Sequence, residues 1–257
     1  MTGRHGRGIR IAVAAAVAAA LVAGGGVVAV QALDGGGGSA PVAAPSPSPD
    51  PVVRVDPSIV HASEEQGKTV NLTIDDGPDP TWTPKVLDLL AQHHAKAVFC
   101  MVGPNAQAHP ALVKQVVAGG HRLCDHSVHH DTGMDKKPLA YQQSEILDAQ
   151  RMIEQAAGDG AEVQYYRAPG GAFTPESRQI AAEHGMRPLG WNVDPDDWKR
   201  PGVDAIVAAV QNGMAKGTGP TVLFHDGGGD RSQTYQALER LLPWFEQQGY
   251  HYGFPQV

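Results

Sequence analysis

Val70-Asn71-Leu72-Thr73-Ile74 runs directly into Asp75-Asp76-Gly77-Pro78. The first five residues read as a buried strand, and Gly-Pro forces a turn immediately after the two carboxylates. Adjacent residues leaving a strand point in different directions, so one carboxylate can hold a metal while the other faces a substrate. The pattern recurs along the chain. Strands are expected at Val70–Ile74, Ala97–Val102, Arg122–Asp125, Tyr165–Ala168, Pro188–Val193, Thr221–His225 and Tyr250–Phe254. Between them lie helical patterns at Thr83–Gln92, Pro110–Ala118, Ala140–Ala157, Pro175–Glu183, Val203–Ala215 and Gln233–Gln247. Such alternation implies parallel strands linked by helices, hence one α/β domain with a barrel-like sheet. In such folds reactive groups gather beyond the carboxyl ends of the strands. Asp75, Asp76, His126, Arg167, Asp194 and His225 all fall at or just past an expected strand end.

The rest of the chain sets outer limits. Ile11 to Val30 is twenty residues without a charge, preceded by Arg4, Arg7 and Arg10. Residues 1–33 therefore read as a signal peptide or a single membrane anchor, and the protein is expected outside the cytoplasm, secreted or held at the cell surface. Residues 34–66, with Gly35 to Gly38 and prolines 41, 45, 47, 49 and 51, read as a linker that cannot form a core. Residues 67–257 are left as the folded domain. The formal charge of −7 argues against a nucleic-acid partner, and loss of the three leader arginines makes the chain more acidic still. A membrane is expected only through an uncleaved N-terminal segment, and a monomer is expected. The only cysteines, Cys100 and Cys124, both fall in expected strands, and outside the cytoplasm they are expected to pair.

The second chemical cluster is His126-Ser127-Val128-His129-His130. Imidazoles four apart, with a carboxylate from the Asp-Asp pair, suit zinc and leave a second carboxylate to act as a base. His129 has no clear place in this set, and His93-His94, on a polar stretch of helix, reads as surface. Arg167-Ala168-Pro169-Gly170-Gly171 ends a strand with a guanidinium that can orient a carboxylate, followed by glycine N–H groups that can meet an oxyanion. Asp194-Pro195-Asp196-Asp197-Trp198 offers a carboxylate to pair with a histidine and an indole to wall a groove. Leu223-Phe224-His225-Asp226 places a histidine at a strand end, where it can donate a proton.

These five pieces, in this order over about residues 68–254, resemble the polysaccharide deacetylases, a carbohydrate esterase group. Thr73 to Pro78 matches the Thr-Phe-Asp-Asp-Gly-Pro motif with Ile74 for phenylalanine, and His126, Ser127 and His130 match His-Ser/Thr-x-x-His. Arg167 and Pro169 match Arg-x-Pro, with Gly170 where many members carry tyrosine. Asp194, Asp197 and Trp198 match Asp-x-x-Asp-Trp, and Leu223 and His225 match Leu-x-His.

The resemblance implies a distorted (β/α) barrel of about seven parallel strands. It implies that Asp76, His126 and His130 bind one divalent metal, most often Zn2+, though Co2+, Mn2+ or Ni2+ suit the same donors. It implies Asp75 as general base held by Arg167, and His225 as general acid paired with Asp197. Pro169, Gly170, Trp198 and Leu223 would line the substrate groove, with the Gly170 N–H helping to stabilise the oxyanion. The implied activity is removal of acetyl groups from N-acetylated sugars of an acetylated polysaccharide such as peptidoglycan or chitin. Two alternatives share the residues: an O-acetyl esterase acting on xylan, and a non-catalytic surface protein that binds glycan. Amide hydrolysis on small molecules uses similar machinery.

Overall fold

The computed structural model describes residues 55–217 and 219–257. The expected leader, and residues 34–54 of the expected linker, lie outside the described residues. The strands are β1 (Thr69–Asp75), β2 (Ala97–Met101), β3 (Arg122–Asp125), β4 (Val163–Tyr166), β5 (Arg187–Pro188), β6 (Thr221–His225) and β7 (His251–Tyr252). The helices are α1 (Thr83–Gln92), α2 (Gly103–Ala108), α3 (Pro110–Ala118), α4 (Leu139–Ala157), α5 (Pro175–Glu183), α6 (Val203–Ala215) and α7 (Ser232–Gln247). The sheet order is β5-β4-β3-β2-β1-β6, every pairing is parallel, and β7 pairs with the start of β1.

β1 shows why this sequence makes such a sheet. All seven of its residues are buried, as expected for a parallel strand covered on both faces. Val70, Leu72 and Ile74 join the apolar cluster that includes Val86 and Leu90 of α1 and Leu238 and Leu241 of α7. Each such fully buried aliphatic side chain contributes about 1.5–3 kcal/mol relative to exposure. The alternate residues carry polar groups to the opposite face. There Asn71 Nδ2 donates to Thr221 Oγ1 at 3.2 Å and Thr73 Oγ1 donates to the Val222 carbonyl at 2.8 Å, both onto β6.

The curled sheet is closed by an irregular crossing rather than by a full strand. Residues 188–193 were expected as one strand, but only Arg187–Pro188 pairs with β4. Leu189 then bridges Val60, and Val193 bridges Val222 of β6. The chain thus leaves one edge of the sheet and reaches the other within a few residues. Gly190 sits at the crossing, where a Cβ would lie 2.2 Å from His61 Nε2, so a larger residue would have to displace that ring. A continuous strand is incompatible with that sideways step.

Other boundaries also differ from expectation: β4 is Val163–Tyr166 where Tyr165–Ala168 was expected, and β7 is only His251–Tyr252 within the expected Tyr250–Phe254. Helix α2 was not foreseen, because six residues opening with Gly-Pro carry too little periodicity to read. Residues 55–66, read as the end of the linker, are bound to the fold. Val60 is buried, its N–H donates to the Pro188 carbonyl at 2.8 Å, and Glu64 meets Arg122 at 2.7 Å. The reason is packing: Val60 joins a second apolar cluster with Val98, Cys100, Cys124, Tyr165 and Leu189.

Cys100 and Cys124 face one another in register on β2 and β3 and form a disulfide. Both are fully buried on the face opposite Phe99 and Met101, which belong to the helix-side core. The bridge joins cysteines separated by 24 positions in sequence, closing the stretch that holds α2 and α3. The double variant Cys100→Ala/Cys124→Ala is expected to lose about 3 kcal/mol. The denaturant midpoint, compared with the parent protein under non-reducing conditions, checks this; an unchanged midpoint would contradict it.

Candidate active site

β1 ends in Asp75, whose Oδ1 accepts a hydrogen bond from Arg167 Nη1 at 2.6 Å. Arg167 directly follows β4 and is fully buried. Its remaining donors go to Thr73 Oγ1 (2.9 Å) and to the carbonyls of Leu189 (3.2 Å) and Gly190 (3.0 Å). A buried guanidinium is tolerated when its donors are met and a carboxylate balances its charge. The Trp191 ring covers it, 5.5 Å from the guanidinium carbon to the ring centre. Asp75 Oδ2, not engaged by Arg167, lies 3.5 Å from His126 Nε2.

Asp76 leaves β1 with left-handed backbone (φ 74°), which swings its carboxylate away from that of Asp75. Its Oδ1 lies 3.1 Å from His130 Nε2 and 3.5 Å from His126 Nε2. His126 follows β3, and its Nδ1 donates to the Arg167 carbonyl at 2.8 Å. The proton is therefore on Nδ1, and Nε2 keeps a lone pair. Burial pushes the His126 pKa down, favouring the neutral ring that ligates a metal.

His130 is placed by a loop with two left-handed residues, Ser127 (φ 67°) and His130 itself (φ 51°). Asp125 Oδ1 accepts from the Ser127 N–H at 2.6 Å, and Ser127 Oγ accepts from the His130 N–H at 3.0 Å. Glu145 of α4 clasps the loop from outside, accepting from the N–H groups of Val128 (3.2 Å) and His129 (2.8 Å). The His129 ring meets the same carboxylate at 2.6 Å, so His129 is turned away from the other two histidines.

One atom shows what the set is built to hold. Among the described residues, Asp76 Oδ1 is buried and has no partner with hydrogen-bond geometry, although two imidazole nitrogens lie close to it. The candidate ligand atoms of Asp76, His126 and His130 lie within 4.8 Å of one another. One carboxylate oxygen and two imidazole nitrogens converging in this way fit a divalent metal with open coordination positions.

Across the cavity, β6 ends in His225, whose Nδ1 meets Asp197 Oδ1 at 2.7 Å. Asp197 is fully buried, and its Oδ2 accepts from the His225 N–H (2.9 Å) and Thr234 Oγ1 (2.8 Å). Burial opposes the charged ring of His225. The Asp197 hydrogen bond and charge, with Asp75 and Asp76, outweigh it, and the pKa lies above its ordinary value.

These groups line a cavity of about 290 Å³. Of the residues singled out in the sequence, Asp75, Asp76, His126, His130, Arg167, Gly170, Asp194, Trp198, Leu223 and His225 line it, and Asp197 stands behind His225. Trp198 is 47% exposed and forms the lip. Pro169, expected to contact substrate, is instead buried and does not line the cavity; it opens the short 3₁₀ turn that presents Gly170. Thr132, Trp191 and Arg231 also line the cavity and were not foreseen. Trp191 lay inside an expected strand, and Arg231 closes a glycine run that reads as featureless loop.

A sequence model of the family described as polysaccharide deacetylase matches residues 62–189. The chain is 42% identical over 190 residues to a peptidoglycan-N-acetylglucosamine deacetylase of Bacillus cereus, covering 72% of this chain and 85% of the relative. It is 37% identical over 194 residues to a chitooligosaccharide deacetylase of Sinorhizobium fredii, covering 71% of this chain and 87% of the relative. Among solved structures, a CE4 family pseudoenzyme from Bacillus anthracis matches with a TM-score of 0.68 and 28% identity, covering 76% of this chain and 66% of that one. Likeness of this extent, spanning the stretch from Asp75 to Arg167, settles the family: this chain belongs to the polysaccharide deacetylases.

Proposed function

We propose that the protein is a metal-dependent hydrolase that removes acetyl groups from N-acetylated sugars of a polysaccharide, peptidoglycan or a chitin-like glycan. The observation that carries this reading is the buried Asp76 Oδ1 facing two imidazoles, with Asp75 and His225 lining the same cavity. Zinc is the metal best matched to one carboxylate and two imidazoles, with cobalt, manganese and nickel as close competitors. A metal held there supplies Lewis acidity toward the acetyl carbonyl oxygen and lowers the pKa of water.

The chain's own residues supply the rest. Asp75 Oδ2 takes a proton from water as the water oxygen bonds to the carbonyl carbon. Arg167 holds Asp75 Oδ1, so the carboxylate is oriented for this transfer. Gly170 lies on the cavity wall, and its N–H is the donor the protein would offer to the developing oxyanion. The carbon–nitrogen bond then breaks as His225 Nε2 gives its proton to the departing nitrogen, leaving acetate and a free amine. Asp197 keeps that proton on the ring by holding Nδ1. Trp198 at the lip offers an apolar face to a sugar ring.

The same machinery would cleave an O-acetyl ester, which makes an esterase the nearest alternative. A glycan-binding protein without turnover is the second, since a structural relative is itself a pseudoenzyme. What favours catalysis here is that base, acid and all three candidate ligands occur together. We place the activity outside the cytoplasm, with the Ile11–Val30 run as export signal or anchor. The buried disulfide suits such a compartment.

The purified protein is expected to release acetate from peptidoglycan or chitooligosaccharides, to lose this with chelator and to regain it with zinc. Release from acetylxylan alone would make it an esterase, and no release from a metal-loaded protein would favour the binding reading. Asp75→Asn, which keeps an acceptor for Arg167, is expected to cut kcat by about 10²–10⁴-fold while glycan binding survives. Full turnover in that variant would rule out the assigned base. The rate should be bell-shaped in pH, with the alkaline limb set by loss of the His225 proton. Because Asp197 raises the His225 pKa, Asp197→Asn should move that limb to lower pH; a limb that stays put would exclude His225 as the acid.

A further inference from the structure

Asp75 and Asp76 are adjacent carboxylates in a largely buried site, and Arg167 engages only Asp75. A second buried guanidinium stands on the other side. Arg231, immediately before α7, is 6% exposed and lines the same cavity. Its Nη2 lies 3.8 Å from Asp76 Oδ2, the oxygen that the two histidines leave aside. Two bonds fix its position: Nε donates to the Gly227 carbonyl at 2.6 Å and Nη1 to the Trp198 carbonyl at 3.3 Å.

The loop between is shaped to let these two groups face each other. Gly228 has φ 74°, and a Cβ there would lie 3.0 Å from Arg231 Nη2 and 3.1 Å from Asp76 Oδ2. Any other residue would place a methylene in contact with both groups.

We propose that Arg231 is a positioning residue for Asp76, holding its outer oxygen so that the inner one is presented to the metal with His126 and His130. The proposal rests on the metal reading of those three residues. Arg231 acts by charge: at 3.8 Å the contact is too long for a hydrogen bond, yet within ion-pair distance of the carboxylate. The same guanidinium holds the Trp198 carbonyl, so one side chain secures both the metal ligand and the aromatic lip of the cavity.

The test is zinc affinity, measured by competition with a fluorescent chelator on the full protein. Tight binding by the parent is the premise; a parent that binds no zinc removes the metal reading itself. With that premise met, Arg231→Gln is expected to weaken zinc by about 10–100-fold, the range for removing a residue that orients a metal ligand. Arg231→Lys keeps the charge and should recover most of that loss, which a purely structural role would not predict. Circular dichroism of the metal-free proteins controls for folding. If Arg231→Gln does not fold, Gly228→Ala takes its place, since it retains Arg231 while separating it from Asp76. Zinc affinity equal to the parent's in the folded variant, or a lysine variant no better than glutamine, would overturn the proposal.

Discussion

The contact between Arg167 and Asp75 decides the layout around it. A guanidinium with no exposure lies against the end of β1, and it must be met on every side because no water can do so. Its partners are Asp75 and Thr73 on β1, and the Leu189 and Gly190 carbonyls from the segment that crosses between sheet edges. Its own carbonyl fixes the proton on His126. One residue therefore ties together the central strand, the closure of the sheet and the tautomer of a candidate metal ligand. The ordinary cost of burying charge is turned into a demand for one arrangement of backbone.

Asp75 and Asp76 are identical in chemistry and adjacent in sequence, yet their surroundings differ. Asp75 still has strand conformation and faces the guanidinium, whereas Asp76 has turned left-handed toward the histidines. The backbone at one residue thus aims one carboxylate at Arg167 and the other at His130, with His126 lying 3.5 Å from both. On the proposed mechanism this division assigns one to proton transfer and the other to the metal.

Much of this was readable in the sequence, for a physical reason. Parallel strands buried on both faces are short apolar runs, and their carboxyl ends are where loops converge. Hence Asp75, His126, Arg167 and His225 identified themselves by standing at the ends of such runs. What stayed hidden lacked that signature. Arg231 follows three glycines and Asp230, and it acquires its place only through a close approach of backbone that no periodicity reports. Glu145 is one acidic residue in a long helix, and only the fold shows that it grips the histidine loop. The crossing at Gly190 reads as strand because its neighbours Leu189 and Val193 are apolar, although each pairs with a different partner. Val60 reads as linker because Ile59 and Val60 alone, between Pro57-Ser58 and His61, carry no period.

The Cys100–Cys124 bridge has a consequence beyond stability. Both residues are wholly enclosed among Val60, Val98, Tyr165 and Leu189, so no thiol reagent can touch the sulfurs while the strands stay together. Thiol–disulfide exchange needs direct access of one sulfur to another. Reductive cleavage of this bond is therefore gated by transient opening of the sheet at β2 and β3, the strands that lead to α2 and to His126. The bridge is a chemical clock set inside the protein: its lifetime in reductant counts how often the wall beneath the histidine loop comes apart.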